Sequence, residues 1–187
     1  MASGRPIRVG KWTYGAETIK ILQWNPSAKI SIGAFCSIST DVTALLGCNH
    51  DSSLVSTYPF PPDKFGYAKQ NPHNLSKGGI VIGNDVWIGK GVTLLDGSKI
   101  EDGVIVGANS LVTRNLPPFT ICGGNPARVI RKRFDDEIEK IICHVTWWDL
   151  DDDAINRLLP FLQSVPTLSQ ARMLYRAFIL ELGSASN

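Results

Sequence analysis

The residues of this chain best suited to proton transfer are its three histidines, His50, His73 and His144. A neutral imidazole can take a proton from a hydroxyl group, so each is a candidate general base. His50 directly precedes a stretch rich in aromatic and proline residues, and we expect it to project into a space beside that stretch. We expect His73 to lie on a loop surface and His144 to have a structural role in a helix.

A second candidate group is basic. Arg128, Arg131, Lys132 and Arg133 follow the run Gly-Gly-Asn-Pro-Ala at residues 123–127. Guanidinium groups bind phosphates through paired hydrogen bonds, so these side chains could hold a phosphorylated ligand. A bare run of charge is also typical of a solvated surface.

These residues must be positioned by a six-residue repeat that is unbroken over residues 82–116. Each unit begins with an aliphatic residue and has Val, Ser or Leu in its fifth place. The fourth place holds residue types that tolerate the positive φ of a tight corner. This period is typical of a parallel β-helix, whose first and fifth positions point into a narrow core. The fourth positions are Asp85, Gly91, Gly97, Gly103, Asn109 and Asn115.

The repeat also occurs upstream, over residues 32–49 in a second frame, with one further unit at residues 9–14. Because the two frames differ by two residues, the chain must leave the coil over residues 50–75 and then return. Loops of this length inside a compact domain are usually functional or disordered. The aromatic and proline content favours an ordered lid, in which Tyr58 and Phe60 are candidates for contact with a substrate.

The four cysteines have no Cys-x-x-Cys spacing, so neither a zinc site nor a disulfide framework is predicted. Cys36, Cys48 and Cys122 fall on inward fifth positions of the repeat, and Cys143 lies in a helical pattern. Cys48, two residues before His50, could act as a nucleophile. A thiol buried in apolar surroundings is inert, so the repeat argues against a covalent intermediate on Cys48.

After the coil the apolar period changes to that of helices. One helix is predicted over residues 135–150, a second beginning within residues 151–153, and a third over residues 168–182. Such helices can cover the open end of a solenoid. We therefore predict an all-β solenoid with an α appendage: a β-helix domain at residues 1–133, with its excursion loop at 50–75, and a helical cap at 134–187.

The composition narrows the possible partners. The chain has 187 residues, 43% of them hydrophobic, and a formal net charge of +2. That charge gives no reason to expect binding to nucleic acid or to an anionic membrane. No run approaches the roughly 20 apolar residues of a membrane span, and the N-terminal residues lack the apolar core of a signal. We expect a cytoplasmic protein.

Three runs, at residues 77–93, 107–114 and 123–134, closely resemble the hexapeptide-repeat acyltransferases, and specifically the xenobiotic acetyltransferases that modify chloramphenicol or streptogramin A. Residues 32–39 and 46–50 match the same subfamily, and the likeness extends over about residues 7–150. The resemblance implies a left-handed parallel β-helix and a homotrimer with active sites between subunits. It also implies acetyl-CoA as co-substrate and a histidine as general base. From the cysteine spacing and the histidine positions, no metal is expected.

The resemblance also assigns residues. Asn49-His50 matches the catalytic motif of the family, which makes His50 the predicted base. Trp87 points outward from the coil and is expected to contact either a neighbouring subunit or the acceptor, as are Tyr58 and Phe60. The predicted coenzyme-binding residues are Gly89, Lys90, Ala108, Thr113, Arg114, Arg128 and Arg131.

The predicted function is direct, acetyl-CoA-dependent O-acetyl transfer to a hydroxyl of a small molecule or sugar. Antibiotic-modifying members have a longer N-terminal excursion that helps to build the acceptor pocket, whereas here Tyr14 leads almost directly into the coil. We therefore expect chloramphenicol and streptogramin A to be poorer acceptors than a sugar. An antibiotic acetyltransferase and a sugar N-acetyltransferase are the alternatives, with a hydroxyl favoured because an ammonium must lose a proton before it attacks.

Two other predicted functions, one non-enzymatic and one enzymatic, compete with acetyl transfer. A catalytically silent trimeric β-helix scaffold would use the repeat but leave Asn49-His50 and the basic residues without a purpose. A zinc enzyme on the same solenoid, as in the γ-type carbonic anhydrases, needs three converging histidines. His73 and His144 do not lie at repeat positions that could converge with His50.

Overall fold

A computed structural model describes residues 5–66 and 75–184 of the chain. Within these residues the strands are short and pair mostly in parallel. In chain order they are β1 (Ile7–Val9), β2 (Lys20–Gln23), β3 (Ile30–Ile32), β4 (Ser37–Ile38), β5 (Thr43–Leu46), β6 (Ile80–Ile82), β7 (Trp87–Ile88), β8 (Thr93–Leu95), β9 (Lys99–Ile100), β10 (Ile105–Val106), β11 (Leu111–Val112), β12 (Thr120–Gly123) and β13 (Arg128–Lys132).

The strands form three sheets, which β3 to β11 visit in a fixed cycle. Sheet A has the order β1-β3-β6-β9, sheet B the order β13-β12-β10-β7-β4, and sheet C the order β11-β8-β5-β2. From β3 to β11 the chain enters sheets A, B and C in turn, so equivalent repeat positions stack. Ile32 pairs with Ile82, for example, although residues 50–75 intervene between the two turns. This cyclic order of parallel strands is the one that the six-residue repeat predicts.

The core of the coil consists of the first and fifth repeat positions, as predicted. All of these positions between residues 82 and 116 are buried, from Ile82 and Val86 through to Val112 and Leu116. Two of the fifth positions are serines, Ser98 and Ser110, and they are buried as well. Burial of this apolar set holds together strands that are too short to be stable alone.

The predicted corners are correct except at the last turn. Asp85, Gly91, Gly97, Gly103 and Asn109 have positive φ, between 52° and 82°. Asn115 does not, and in that turn Phe119 adopts the positive φ, of 50°. Cys122 pairs with Val106, a first position, rather than taking the expected fifth. Val112 still pairs with Leu94, but Leu116 already bridges Ile100, a first position, so the last turn is shortened between Val112 and Leu116.

The turns between sheets form three stacked corners. The AB corner contains residues 33–36, 83–86 and 101–104, and the BC corner contains residues 39–42, 89–92 and 107–110. The CA corner contains residues 47–50, 75–79, 96–98 and 113–115, and it is here that the excursion loop leaves and rejoins the coil. At the AB corner, Asn84 Oδ1 accepts from Ala34 N at 2.8 Å, and Asp102 Oδ1 accepts from Asn84 N at 2.6 Å.

Three helices follow: α1 (Asp136–Ile142), α2 (Asp152–Leu162) and α3 (Leu168–Ser184). The helix predicted over residues 135–150 is wrong in its length. Thr146 has a non-helical backbone, and only a single 3-10 turn, Trp147–Asp149, follows. The β-branched Val145 and Thr146 are poor helix formers, which accounts for the break. The second helix begins as predicted, since Asp151 accepts a capping bond from Ala154 N at 2.8 Å.

The chain divides into two compact units, Met1–Arg131 and Lys132–Asn187. The assignment of residues 1–133 as an acyltransferase domain and of 134–187 as its cap stays a prediction. No helix in the described residues is both long enough and apolar enough to cross a bilayer.

Candidate active site

His50 lies at the CA corner, where the excursion loop leaves the coil, and its side chain is exposed. Its Nδ1 lies 2.6 Å from the backbone oxygen of Thr57, across the first turn of the loop. A carbonyl oxygen can only accept, so Nδ1 carries the hydrogen of this bond. In the neutral ring the lone pair is then on Nε2. This is the tautomer that a general base needs.

Aromatic side chains on the outgoing side of the loop contact one another. The Tyr58 and Phe60 rings pack edge to face with centroids 5.0 Å apart, and Phe60 packs in the same way on Phe65 at 5.2 Å. Tyr58 is 56% exposed and Phe60 45% exposed. Their predicted part in acceptor binding is untested. Tyr67 and His73 lie outside the described residues.

Asp51, the neighbour of His50, has a local role that the sequence did not reveal. Its Oδ1 accepts from Ser53 N at 2.9 Å and from Ser53 Oγ at 2.6 Å. This oxygen therefore caps the first turn of the loop, as Asp side chains commonly do. A carboxylate thus adjoins the Asn49-His50 motif, and one of its oxygens accepts from Ser53.

Cys48 corrects one expectation. It is only half-buried, although the repeat predicted an inward, buried position. The chain leaves the coil immediately afterwards, so this fifth position has no complete turn to close over it. Cys36 and Cys122 are buried as expected. Burial raises the pKa of the Cys36 thiol, with a hydrogen bond from the Val86 backbone opposing the rise. Burial alone therefore does not exclude Cys48 as a nucleophile.

Three of the predicted coenzyme residues lie at the BC corner. Gly89 is buried, and a Cβ there would lie 2.7 Å from Ala108 N, so glycine is needed for the close approach of two turns. Lys90 and Ala108 are exposed. Lys90 Nζ lies 3.4 Å from Asp41 Oδ2, an exposed ion pair between successive turns. Such a pair contributes little to stability.

The other four lie elsewhere. Thr113 and Arg114 are at the CA corner, above the exit of the loop, and Arg128 and Arg131 are on β13 at the edge of sheet B. Arg128 Nη1 donates to Ala127 O at 2.9 Å. One chain thus has His50 at the CA corner and the Lys90–Ala108 group at the BC corner, separated by the strands of sheet C.

The basic side chains of residues 128–133 differ in their local environments, although the sequence indicates one uniform charged run. Lys132 Nζ lies 2.8 Å from Asp136 Oδ1 and 3.2 Å from Glu139 Oε2. The hydrogen bond to Asp136 raises the pKa of Lys132, with that to Glu139 as the next contribution. The Arg133 guanidinium lies over the Phe134 ring, 5.2 Å from its centroid. Both side chains therefore have local partners.

Trp87 lies on sheet B between Ser37 and Ile105 and is 55% exposed, so it faces outward as expected. His144 is exposed just after α1. In the described part of the chain, no three His, Cys, Asp or Glu side chains come close enough together to hold a metal ion.

The sequence reasoning missed the residues that surround His50. Asn49 forms an antiparallel bridge with Leu75, and its Nδ2 donates to Leu75 O at 3.1 Å. Asp96, which is 4% exposed, accepts hydrogen bonds from residues 76–79. The sequence does contain one indication that Asp96 is unusual. Asp96 occupies the third repeat position at the end of sheet C, where the preceding turn has the apolar Leu46.

Comparison with known proteins finds relatives along most of the chain. The profile of a family described as bacterial transferase hexapeptide (six repeats) matches residues 79–114. A probable macrolide acetyltransferase from Lysinibacillus sphaericus is 40% identical over 146 residues, covering 76% of this chain and 81% of that protein. A virginiamycin A acetyltransferase from Staphylococcus aureus is 46% identical over 138 residues, covering 72% of this chain and 63% of that protein.

A solved structure has a similar fold. The hexapeptide-repeat containing acetyltransferase from Vibrio cholerae aligns with a TM-score of 0.50 and 28% identity, over 70% of this chain and 64% of that one. This chain therefore spans slightly less than two thirds of that structure but most of the macrolide acetyltransferase. The expected resemblance is confirmed. The chain belongs to the hexapeptide-repeat acyltransferases, within their xenobiotic acetyltransferase subfamily, and it is an acetyltransferase.

Proposed function

We propose that this protein transfers an acetyl group from acetyl-CoA directly to a hydroxyl group, with His50 as the general base. The observation that carries the proposal is the bond from His50 Nδ1 to Thr57 O at the exit of the loop. It holds the ring in one tautomer beside a segment that carries exposed aromatic side chains. The family membership supports the reaction class, and it also supports a left-handed β-helix.

In this mechanism His50 Nε2 accepts the acceptor's proton as the hydroxyl oxygen attacks the thioester carbonyl. The carbon–oxygen bond forms, the carbon–sulfur bond breaks, and the departing thiolate takes the proton back from Nε2. The Thr57 carbonyl accepts from Nδ1–H throughout, so it stabilises the imidazolium while that proton is held. Neither a covalent enzyme intermediate nor Cys48 is needed.

The residues present suit a phosphorylated coenzyme. Arg128 and Arg131 are exposed cations at the last turn of the coil, where they could bind phosphates, and Ala108 is a small exposed residue beside which a thin chain could lie. Arg128→Ala and Arg131→Ala are expected to raise KM for acetyl-CoA more than they change kcat, because phosphate contacts are equal in ground and transition states. Lys132→Ala is the matched control and should leave KM unchanged. A loss confined to kcat would contradict this assignment.

The active unit is proposed to be a homotrimer. His50 and the Lys90–Ala108 group lie at different corners of one coil, and Trp87 is exposed on a flat sheet. A site shared between subunits would bring the CA corner of one chain to the BC corner of the next, as the family resemblance implies. Light scattering should give three chains per particle. A fully active monomer would overturn the shared site.

The acceptor is proposed to be a small molecule or a sugar. The exposed Tyr58 and Phe60 offer apolar surface beside His50. A hydroxyl is favoured because an ammonium must lose a proton before it attacks. A specific observation favours an antibiotic as the second candidate: the relatives at 40% and 46% identity are named for macrolide and virginiamycin A.

One experiment separates these acceptors. The purified protein is incubated with acetyl-CoA and each of virginiamycin A, chloramphenicol, a macrolide and a galactoside, and the free thiol released is followed over time. A sugar acceptor is expected to have the highest kcat/KM. An antibiotic turned over within the usual enzyme range of about 10⁴–10⁸ M⁻¹s⁻¹ would instead support the second candidate. Failure to turn over any acceptor or to bind a CoA resin would favour a scaffold.

A further inference from the structure

The two ends of the excursion loop are joined beside His50. The antiparallel bridge between Asn49 and Leu75, with its side-chain bond of 3.1 Å, ties the residue before His50 to the returning end of the loop. The position of the His50 backbone therefore depends on how residues 75–79 are held. The hydrogen bond between the imidazole and Thr57 O plays no part in this link.

The returning end is held by one buried carboxylate. Asp96 Oδ1 accepts from Ser76 Oγ at 3.2 Å and from Gly79 N at 2.9 Å, and Oδ2 accepts from Lys77 N at 2.5 Å. Next to it, Gly97 N donates to Gly79 O at 2.6 Å. A single side chain thus fixes both sides of the turn through which the loop rejoins the coil.

A carboxylate at this depth is costly unless its charge is met by donors. Asp96 is only 4% exposed, and in residues 5–66 and 75–184 no ion pair joins it to a lysine or arginine. Two backbone N–H groups and one hydroxyl satisfy it, and bonds of this kind to a charged acceptor are strong. The equivalent position one turn earlier is Leu46, so the coil itself does not require a carboxylate here.

We propose that Asp96 is a positioning residue for His50, acting through residues 76–79, Leu75 and Asn49. The inference rests on the proposed role of His50 as the base. Asp96 anchors the turn, the turn sets the position of Leu75, and Leu75 fixes Asn49. The imidazole is thereby kept at a constant distance from Thr57 O and from the bound acceptor.

The test is Asp96→Asn, with Asp102→Asn as its matched control. Asp102 has the same repeat position at the AB corner and also accepts a backbone N–H from the turn below, but it is remote from the loop. Both changes should lower the melting temperature to a similar extent. Asp96→Asn should lower kcat by about 10- to 100-fold, the effect of a small misplacement of a reacting group, with KM for acetyl-CoA unchanged. Asp102→Asn should retain kcat.

A double-mutant cycle separates positioning from loss of stability. Asn49→Ala interrupts the same path, so combining it with Asp96→Asn should cost far less in kcat than the two separate losses predict. If Asp96→Asn does not fold, Ser76→Ala removes one of its donors and should lower kcat by about fivefold. Unchanged kcat in the folded variant, or additive losses in the cycle, would overturn the positioning role. Normal turnover by His50→Ala would instead overturn the proposed base.

Discussion

The AB and CA corners of the coil use the same side-chain device for different purposes. At the AB corner the third repeat positions stack, and Asp102 and Asn84 each accept from the backbone of the turn below. At the CA corner the equivalent Asp96 accepts instead from the end of the excursion loop. One corner closes a regular solenoid, whereas the other interrupts it and fixes the base of a loop.

On this repeat fold, the side chains able to do chemistry lie where the repeat is interrupted. At the regular corner the Asn84 and Asp102 side chains are engaged by backbone N–H groups of neighbouring turns. The interrupted corner has an exposed imidazole, a half-buried thiol and exposed aromatic rings, all held near a rigid coil. Loops positioned by rigid scaffolds are the usual location of catalytic residues.

The largest predicted effect is a loss of turnover caused by a substitution at the CA corner. His50→Ala should lower kcat by about 10²–10⁴-fold, because a general base contributes roughly that factor. Since His50 is exposed, its loss should change neither the melting temperature nor acetyl-CoA binding. Steady-state kinetics, thermal unfolding and calorimetric titration measure these three quantities.

His144→Ala is the control for the loss of an imidazole, because His144 is exposed in the helical unit. It should retain full turnover. If His50→Ala also turns over at the normal rate, the CA corner is not the catalytic one.

The next largest predicted effect is a loss of stability caused by a substitution at the AB corner. A Cβ on Gly33 would lie 2.5 Å from Asn84 Oδ1 and 2.5 Å from Gly83 O. Gly33→Ala should therefore destabilise the protein by about 1–3 kcal/mol, the usual cost of overpacking. A Cβ on Gly66, in the loop, would meet nothing within 4 Å, so Gly66→Ala should stay within about 0.5 kcal/mol. Urea unfolding of both variants measures the contrast, and equal stabilities would mean that the corner is not tightly packed.

The smallest effect is expected at Cys48. Cys48→Ala should keep kcat within about twofold if transfer is direct, since a thiol that forms no intermediate makes no transition-state contact. Alkylation of the native protein should label the exposed Cys143 and spare Cys36, whose thiol is buried and has a raised pKa. A Cys48→Ala protein that folds and binds both substrates but is inactive would support a covalent route.

Much of the fold follows from the sequence, because a sequence repeat shows directly which residues occupy equivalent positions in successive turns. The buried positions, five of the six fourth-place corners and the start of α2 agree with the prediction. The errors are local. The last turn shortens between Val112 and Leu116, α1 ends at Ile142, and Cys48 is half-buried because no complete turn covers it.

The sequence alone determined the family, the reaction class and the candidate base, since these depend on residue types at fixed short spacings. Only the tertiary structure decided what lies around that base. Asn49 and Leu75 are 26 residues apart, and Asp96 accepts from Lys77 across 19 residues. Spacings that vary with the length of a loop leave no periodic signal. A carboxylate can be buried only where hydrogen-bond donors surround it. The donors to Asp96 lie in the segment that rejoins the coil, so they are identified only in the folded structure.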